Sequence, residues 1–162
     1  MRVGKLVELA IYIPMIIVME QAMLFLSNIS FTPLLLAVYF KNRDTYLSYH
    51  LVIIYVILDN FIMSSMSFYL IPMLLGWLAW LFLVKITKTE TKLILASTVF
   101  ASIYGFTFAI FAWVLADIDI IAYLIADIPF QIYMAIGNIL TISILFNRLD
   151  TIFKMFDRKE KA

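Results

Sequence analysis

The sequence predicts an all-α, polytopic membrane protein with six transmembrane helices in one domain, residues 1–162. Of its 162 residues, 65% are hydrophobic and only 14% are charged, whereas a soluble domain has about 45–50% apolar and about 25% charged residues. The mean hydropathy is +1.03, so most apolar side chains are expected to face lipid. The length leaves room for about six spans of about 20 residues with short connections.

Polar connections divide the chain into apolar segments. The second segment has only 12 residues, about 18 Å as a helix against a hydrocarbon core of about 30 Å, so we predict a short or tilted span shielded by its neighbours. Proline is favoured in the first turn of a helix, and the tripeptide 127–129 therefore predicts a new helix start after an outer apolar piece. The predicted helices are 6–26, 29–40, 47–62, 68–86, 93–115 and 128–146, followed by a cytoplasmic amphipathic extension at 147–156.

All 12 Lys and Arg residues lie at the termini or in alternate connections. By the positive-inside rule, this distribution predicts that both termini are cytoplasmic and that the chain crosses the membrane six times, since five crossings would break the alternation. The basic stretches are 2–5, 41–43, 85–92 and 148–161, whereas the connections 27–30, 63–67 and 116–127 contain no Lys or Arg.

Polar residues at the outer ends of the predicted helices are the candidate functional residues. A carboxylate at a helix centre costs about 2.5–3.5 kcal/mol on insertion scales, so such residues often mark function. They could line one outward-facing cavity, with residues 27–30 as a gate. Alternatively, the aspartates cap helix ends in water and the aromatic residues anchor the interface. The candidate ligand-binding residues are Glu20, Gln21, Asn60, Tyr123, Gln131, Tyr133 and Asn138, with Asp59 and Asp127 nearby.

A stripe of small residues runs along the predicted fifth helix at intervals of four. Such a stripe allows a second helix to approach closely, either within the chain or from a docking partner subunit. The residues are Ser97, Ala101, Gly105 and Ala109.

The C-terminal extension is predicted to be an amphipathic helix that lies on the inner membrane surface or on a partner. Its apolar face contains Leu149, Ile152, Phe153 and Phe156, with basic residues opposite.

Several chemistries have no motif in the sequence. It contains no phosphate-binding loop, no histidine pair for a metal and no serine in a nucleophile-elbow context. The absence of cysteine excludes disulfides and thiolate chemistry. We therefore predict no enzymatic activity, no cofactor, no metal site and no nucleic-acid partner.

Three stretches resemble a known family. Residues 20–29 read EQAMLFLSNI, residues 122–130 read AYLIADIPF and residues 135–138 read AIGN ahead of a basic C-terminus. This pattern resembles the substrate-binding S components of energy-coupling factor (ECF) vitamin transporters. The resemblance implies a six-helix bundle with a short second helix in a bacterial or archaeal cytoplasmic membrane. It also implies capture of a vitamin or related micronutrient from outside, association with a transmembrane coupling subunit and two cytoplasmic ATPases, and toppling to release the ligand inward.

The sequence departs from that family at two places. The acid and the histidine that often follow the proline-phenylalanine pair are replaced by Gln131 and Met134. The first helix also lacks the alanine pair, four residues apart, by which many members dock on the coupling subunit. A different ligand chemistry is therefore expected, and the small-residue stripe on the fifth helix is a candidate docking face.

A second family offers an alternative. Pro33 early in the second segment and Asp59 at the end of the third are similar to the rod-shape-determining membrane protein of the bacterial cell-wall elongation machinery. That family is a non-transporting scaffold, which must bind a single-span partner and needs no ligand pocket. The placement of Pro129 nine residues before Asn138 favours the transporter subunit.

Overall fold

The structure, a computed structural model, describes residues 3–22, 30–62 and 69–160. Throughout these ranges the regular secondary structure is helical, so the all-α prediction is confirmed. The helices are α1 (Val3–Ala22), α2 (Thr32–Asn42), α3 (Thr45–Ile62), α4 (Leu70–Ile86), α5 (Glu90–Ala116) and α6 (Ile120–Glu160).

The short helix α2 lies at the centre of the bundle. Every residue from Thr32 to Phe40 is buried, and α2 contacts α1, α3, α4 and α6. Its 11 residues give a length of about 16 Å. Pro33 occupies the first turn, where its missing N–H costs nothing, and its carbonyl accepts a hydrogen bond from the buried Trp80 indole at 3.0 Å. The prediction of a short second helix shielded by its neighbours is confirmed.

Polar contacts gather the basic connections at one end of the bundle. Lys5 in α1 pairs with Asp44 at 2.7 Å, and Arg43 pairs with Glu8 at 2.5 Å. The Lys85 ammonium donates to the carbonyl of Arg43 at 2.6 Å. The start of α1 and the α2–α3 and α4–α5 connections therefore lie together, and we call this the basic end. The last described residues of α1 and α3, and the α5–α6 connection, lie at the opposite end.

The outer surface of the bundle is apolar. Ile11, Phe61 and Ile121 are each about two-thirds exposed, which suits contact with lipid tails. Among the described residues, three helical stretches are long and apolar enough to cross a membrane, and α4 is a shorter apolar helix. The three stretches are Thr45–Ile62, Glu90–Ala116 and Ile120–Met155.

Helix α6 corrects the predicted C-terminal boundaries. It runs without interruption from Ile120 to Glu160, over 41 residues, so the predicted helix start near residue 128 and the separate extension at 147–156 are wrong. The helix starts earlier because the Asp119 carboxylate accepts a hydrogen bond from the Ala122 amide at 2.8 Å and caps the first turn. Pro129 lies inside the helix and removes only one backbone hydrogen bond, which a helix packed against neighbours tolerates.

The small-residue stripe of α5 is buried inside the chain. Gly105 lies against Asp127 and Gln131 of α6, and the Ser97 carbonyl accepts a hydrogen bond from Asn138 at 3.5 Å. The close helix approach that the stripe predicts is therefore made between α5 and α6. Docking of a partner on the stripe would require these buried residues to become exposed; they are Ser97, Ala101, Gly105 and Ala109.

Candidate functional site

Helices α1 and α3 place a buried polar cluster near the end opposite the basic end. The Tyr55 hydroxyl donates a hydrogen bond to the Glu20 carboxylate at 2.6 Å. Asp59 follows Tyr55 by one helical turn and therefore lies on the same face of α3. Asp59 is only 7% exposed, and its Oδ1 has no hydrogen-bond partner. We call Glu20, Tyr55 and Asp59 the acid cluster.

The two carboxylates of the acid cluster both lie at Tyr55. Its hydroxyl bonds Glu20, and Asp59 follows it by one turn of α3, so two negative charges share this region when both acids are ionised. The described lysines and arginines that could offset this charge are held at the basic end by contacts such as Lys5 with Asp44. A buried charge without a counter-charge is costly. The described part of the chain therefore leaves the cluster with unbalanced negative charge whenever both acids are ionised.

Aromatic rings from three helices flank the acid cluster. The Trp77 ring lies 5.9 Å from the Tyr55 ring, 5.4 Å from Phe100 and 5.6 Å from Tyr104, measured between centroids. The Trp77 indole N–H is buried without a hydrogen-bond partner. A buried unpaired donor is uncommon, and here it lies beside the residue that holds Glu20.

A second polar site lies between α5 and α6. The Gln131 amide donates to the Asp127 carboxylate at 3.0 Å, and both residues line a cavity of about 150 Å³ with Tyr104 and Tyr123. At Gly105, an added Cβ would lie 2.6 Å from Asp127 Oδ2 and 2.8 Å from Gln131 Cδ. Only glycine therefore leaves this polar pair in place.

Four of the predicted ligand-binding residues lie in these two sites or next to them. Glu20 belongs to the acid cluster, while Tyr123 and Gln131 line the α5–α6 cavity. Asn60 is buried next to Asp59, but its amide is already used, donating to the Val56 carbonyl at 2.9 Å and approaching the Met73 sulfur at 3.1 Å.

Of the other three predicted residues, Asn138 and Tyr133 lie apart from these groups, and Gln21 directly follows Glu20 in α1. Asn138 is buried beside Ser97, closer to the basic end. Tyr133 is 55% exposed on the outside of α6. Gln21 is partly exposed at the end of α1. Of the predicted gate at 27–30 only Ser30 is described, and residues 27–29, like the predicted connection 63–67, lie outside the described residues.

Sequence reasoning missed the residues that build the walls of the site. Tyr55, Trp77 and Tyr104 occur in strongly apolar helices, where aromatic residues are ordinarily packing residues. The signal that could have found Tyr55 is its spacing of four from Asp59, which places a hydroxyl and a carboxylate on one face of α3.

A larger cavity lies at the basic end. It is a groove of about 590 Å³ between α1, α2 and the C-terminal part of α6. Arg43 and Glu8 form its charged rim, and the Arg43 guanidinium lies 4.7 Å from the Phe153 ring centroid. The remaining walls are mostly apolar, including Met15 and Val38.

Comparisons with models of protein families, with curated proteins and with solved structures find no match to this chain. Within the described residues, no three acidic or histidine side chains are grouped so that they could hold a metal ion. The functional interpretation therefore rests on the chemistry of the site itself.

Proposed function

We propose that the chain is the substrate-binding S component of an ECF-type importer. It captures a vitamin or related micronutrient at the outer face of a bacterial or archaeal cytoplasmic membrane. It then delivers the ligand together with a transmembrane coupling subunit and two cytoplasmic ATPases. The observation that carries this proposal is the acid cluster, in which the buried Asp59 and the partly exposed Glu20 lie in an apolar bundle at the end opposite the basic residues.

The proposed topology has six crossings with both termini in the cytoplasm. The positive-inside rule places the basic end inside, so the acid cluster and the α5–α6 cavity face outward. Helix α2 is shorter than the hydrocarbon core, but its neighbours shield it from lipid. Helix α6 has 41 residues, about 60 Å against a core of about 30 Å, so its C-terminal part extends into the cytoplasm.

The energetic cost of intramembrane acids supports a binding role. Asp59 is buried with one carboxylate oxygen unpaired. This arrangement lowers the stability of the fold, and acids of this kind inside membrane bundles are common at ligand and ion sites. Tyr104 lines the α5–α6 cavity and contacts Trp77 beside the acid cluster. The cavity alone, about 150 Å³, is below the roughly 300–1,000 Å³ of typical small-molecule sites. We propose that the ligand binds at the acid cluster and that the α5–α6 cavity, on the other side of Tyr104, accommodates its remaining part.

Native mass spectrometry of the protein, purified gently from its own host, tests this function. The expected result is a small molecule bound at near-stoichiometric amount, with the coupling subunit and ATPases in the same preparation. An empty chain that co-purifies with a single-span membrane protein and no ATPase would overturn the proposal.

A scaffold of the cell-wall elongation machinery is the second candidate. The observation that favours it is the groove at the basic end, because its apolar walls, formed by residues such as Ile11, Leu35 and Ile152, suit the side of a partner's helix. The same native preparation separates the two functions, since a scaffold requires the single-span partner and no captured ligand.

A further inference from the structure

We infer that the acid cluster binds the positively charged nitrogen of an organic cation, so that the captured ligand is an ammonium-type compound. This inference deepens the proposed function and rests on it. Three observations carry it: the hydrogen bond from Tyr55 to Glu20 one helical turn from Asp59, the buried and unpaired oxygen of Asp59, and the aromatic rings packed on Tyr55.

The charge balance of the cluster calls for a cation. Glu20 accepts a hydrogen bond from a neutral donor, the Tyr55 hydroxyl. Asp59, at 7% exposure, has an oxygen without any hydrogen-bond partner. A positively charged group between the two acids would offset their repulsion and satisfy that oxygen.

The aromatic surroundings favour an organic cation over a metal ion. Hard metal cations prefer a shell of several oxygen ligands, and the described residues contain no group of three acidic or histidine ligands. A weakly hydrated ammonium group is instead attracted to the faces of aromatic rings within about 6 Å. Tyr55 supplies such a ring at Glu20, and Trp77 and Tyr104 continue the aromatic wall from Tyr55, with successive centroid distances of 5.9 and 5.6 Å.

The unpaired indole of Trp77 adds a second recognition element. Its N–H has no hydrogen-bond partner, so it can donate to an oxygen or a ring nitrogen of the ligand. The inferred ligand therefore combines a positively charged nitrogen with a nearby hydrogen-bond acceptor.

The position of the cluster allows access from outside. Glu20 is partly exposed and lies two residues before the last described residue of α1. Asp59 lies three residues before the end of α3. The partial exposure of Glu20 allows a cation to reach the cluster from the surface of the described part of the bundle.

The experiment uses the full chain in lipid nanodiscs and choline chloride as the probe. The neutral carbon isostere of choline, 3,3-dimethyl-1-butanol, tests whether the charge matters, and sodium chloride at equal ionic strength tests for a salt effect. The readouts are tryptophan fluorescence, to which Trp77 contributes together with Trp80 and Trp113, and the thermal unfolding midpoint. We expect a saturable response to choline that neither the isostere nor sodium chloride produces. No response to choline, or an equal response to the isostere, would overturn the inference.

Charge-removing variants assign the response to the cluster. Glu20→Gln and Asp59→Asn preserve size and polarity and should weaken choline binding at least tenfold, whereas Asp117→Asn, at an exposed connection, should leave it unchanged. Unchanged affinity in both cluster variants would refute the assignment. If a variant fails to fold, the comparison of choline with its neutral isostere on the wild-type protein still tests whether the site binds a positive charge.

The inference and the proposed function can fail separately. A neutral or anionic molecule found by native mass spectrometry, with no response to choline, would overturn the cation site and leave the capture function standing. Choline binding by a chain that co-purifies with no ligand and no ATPase would overturn the transport function and leave the cation site standing.

Discussion

The Tyr55 hydroxyl donates a 2.6 Å hydrogen bond to the carboxylate of Glu20, which joins the last turns of α1 to the middle of α3. At the other end the same two helices are joined through Lys5 and Asp44. Helices α1 and α3 are therefore parallel, and side-chain contacts join them at two levels. The bond at Tyr55 is in the protein interior, where a hydrogen bond competes least with water.

Tyr55→Phe is expected to destabilise the protein. Phenylalanine fills the same space, since Tyr55 is completely buried, but it removes the hydroxyl that donates to the Glu20 carboxylate. Leaving one buried polar group unsatisfied costs about 1–3 kcal/mol. Thermal and denaturant unfolding in one detergent measure the loss. Tyr49→Phe, at a ring that is 45% exposed, is the matched control and should lie within about 0.5 kcal/mol of wild type. Equal effects of the two substitutions would contradict the role of this bond.

Gly76→Ala tests the packing of α4 against α5. A Cβ at this position would come within 2.8 Å of Cε2 in the Tyr104 ring. That ring is held by Trp77 and Phe108, with centroid distances of 5.6 and 5.0 Å, so it cannot move freely. We expect a loss of about 1–3 kcal/mol from overpacking, measured by the same unfolding assays.

The control for Gly76→Ala is Gly4→Ala, where an added Cβ would meet nothing within 4 Å. That substitution should be neutral or slightly stabilising, because alanine is the better helix former by about 1 kcal/mol. A Gly76→Ala protein as stable as the Gly4→Ala protein would show that α4 and α5 separate easily.

The general architecture could be predicted because it depends on properties of whole segments. The shielding of α2 followed from its length, and the common location of Lys5, Arg43 and Lys85 followed from the spacing of charges along the chain. Neither property requires knowledge of which side chains touch.

The boundaries of α6 could not be predicted because two local signals compete there. Pro129 favours a helix start, whereas Asp119 offers a cap ten residues earlier, and only packing decides between them. The acid cluster also depends on packing. Glu20 and Asp59 were identifiable as unusual acids, but their joining through Tyr55 requires the relative rotation of α1 and α3, which sequence periodicity does not provide.

Gln131→Ala is expected to weaken ligand capture without unfolding the protein. Gln131 is partly exposed to the α5–α6 cavity; its amide bonds Asp127 on the same helix, and its contact with α5 is with Gly105, so truncation removes no described hydrogen bond between helices. Losing one ligand hydrogen bond of about 0.5–1.5 kcal/mol lowers affinity roughly 2–10-fold. The measurement is calorimetric titration with the co-purified ligand.

Tyr133→Phe is the control for Gln131→Ala. The Tyr133 ring is 55% exposed and lies two residues along the helix, on a different face from Gln131. The ligand affinity of the Tyr133→Phe variant should equal that of the wild-type protein. Unchanged affinity in both Gln131→Ala and Glu20→Ala would show that the ligand binds elsewhere.

The pH dependence of stability at the basic end follows from Asp44. The hydrogen bond from Lys5 and that from the Leu47 amide, each 2.7 Å, hold the pKa of the Asp44 carboxyl below its usual value. A carboxyl whose pKa is lowered by folding stabilises the protein above its unfolded pKa of about 3.9 and loses this contribution as the pH falls through the folded value. Because the pair with Lys5 is about half exposed, its contribution is at most about 1 kcal/mol.

Asp44→Asn isolates this contribution. The amide oxygen still accepts the hydrogen bond from Leu47 and caps α3, while the charge opposite Lys5 is lost. The variant should be less stable than wild type at pH 6–7, and the difference should shrink as the pH falls below about 4. Unfolding midpoints of both proteins, measured from pH 6 to pH 2.5, give this stability difference. The contributions of the other carboxyl groups are common to both proteins and largely cancel. In a Lys5→Gln background the same difference should be smaller at every pH. A difference that stays constant with pH would mean that the Lys5 pair contributes nothing and that Asp44 acts only as a helix cap.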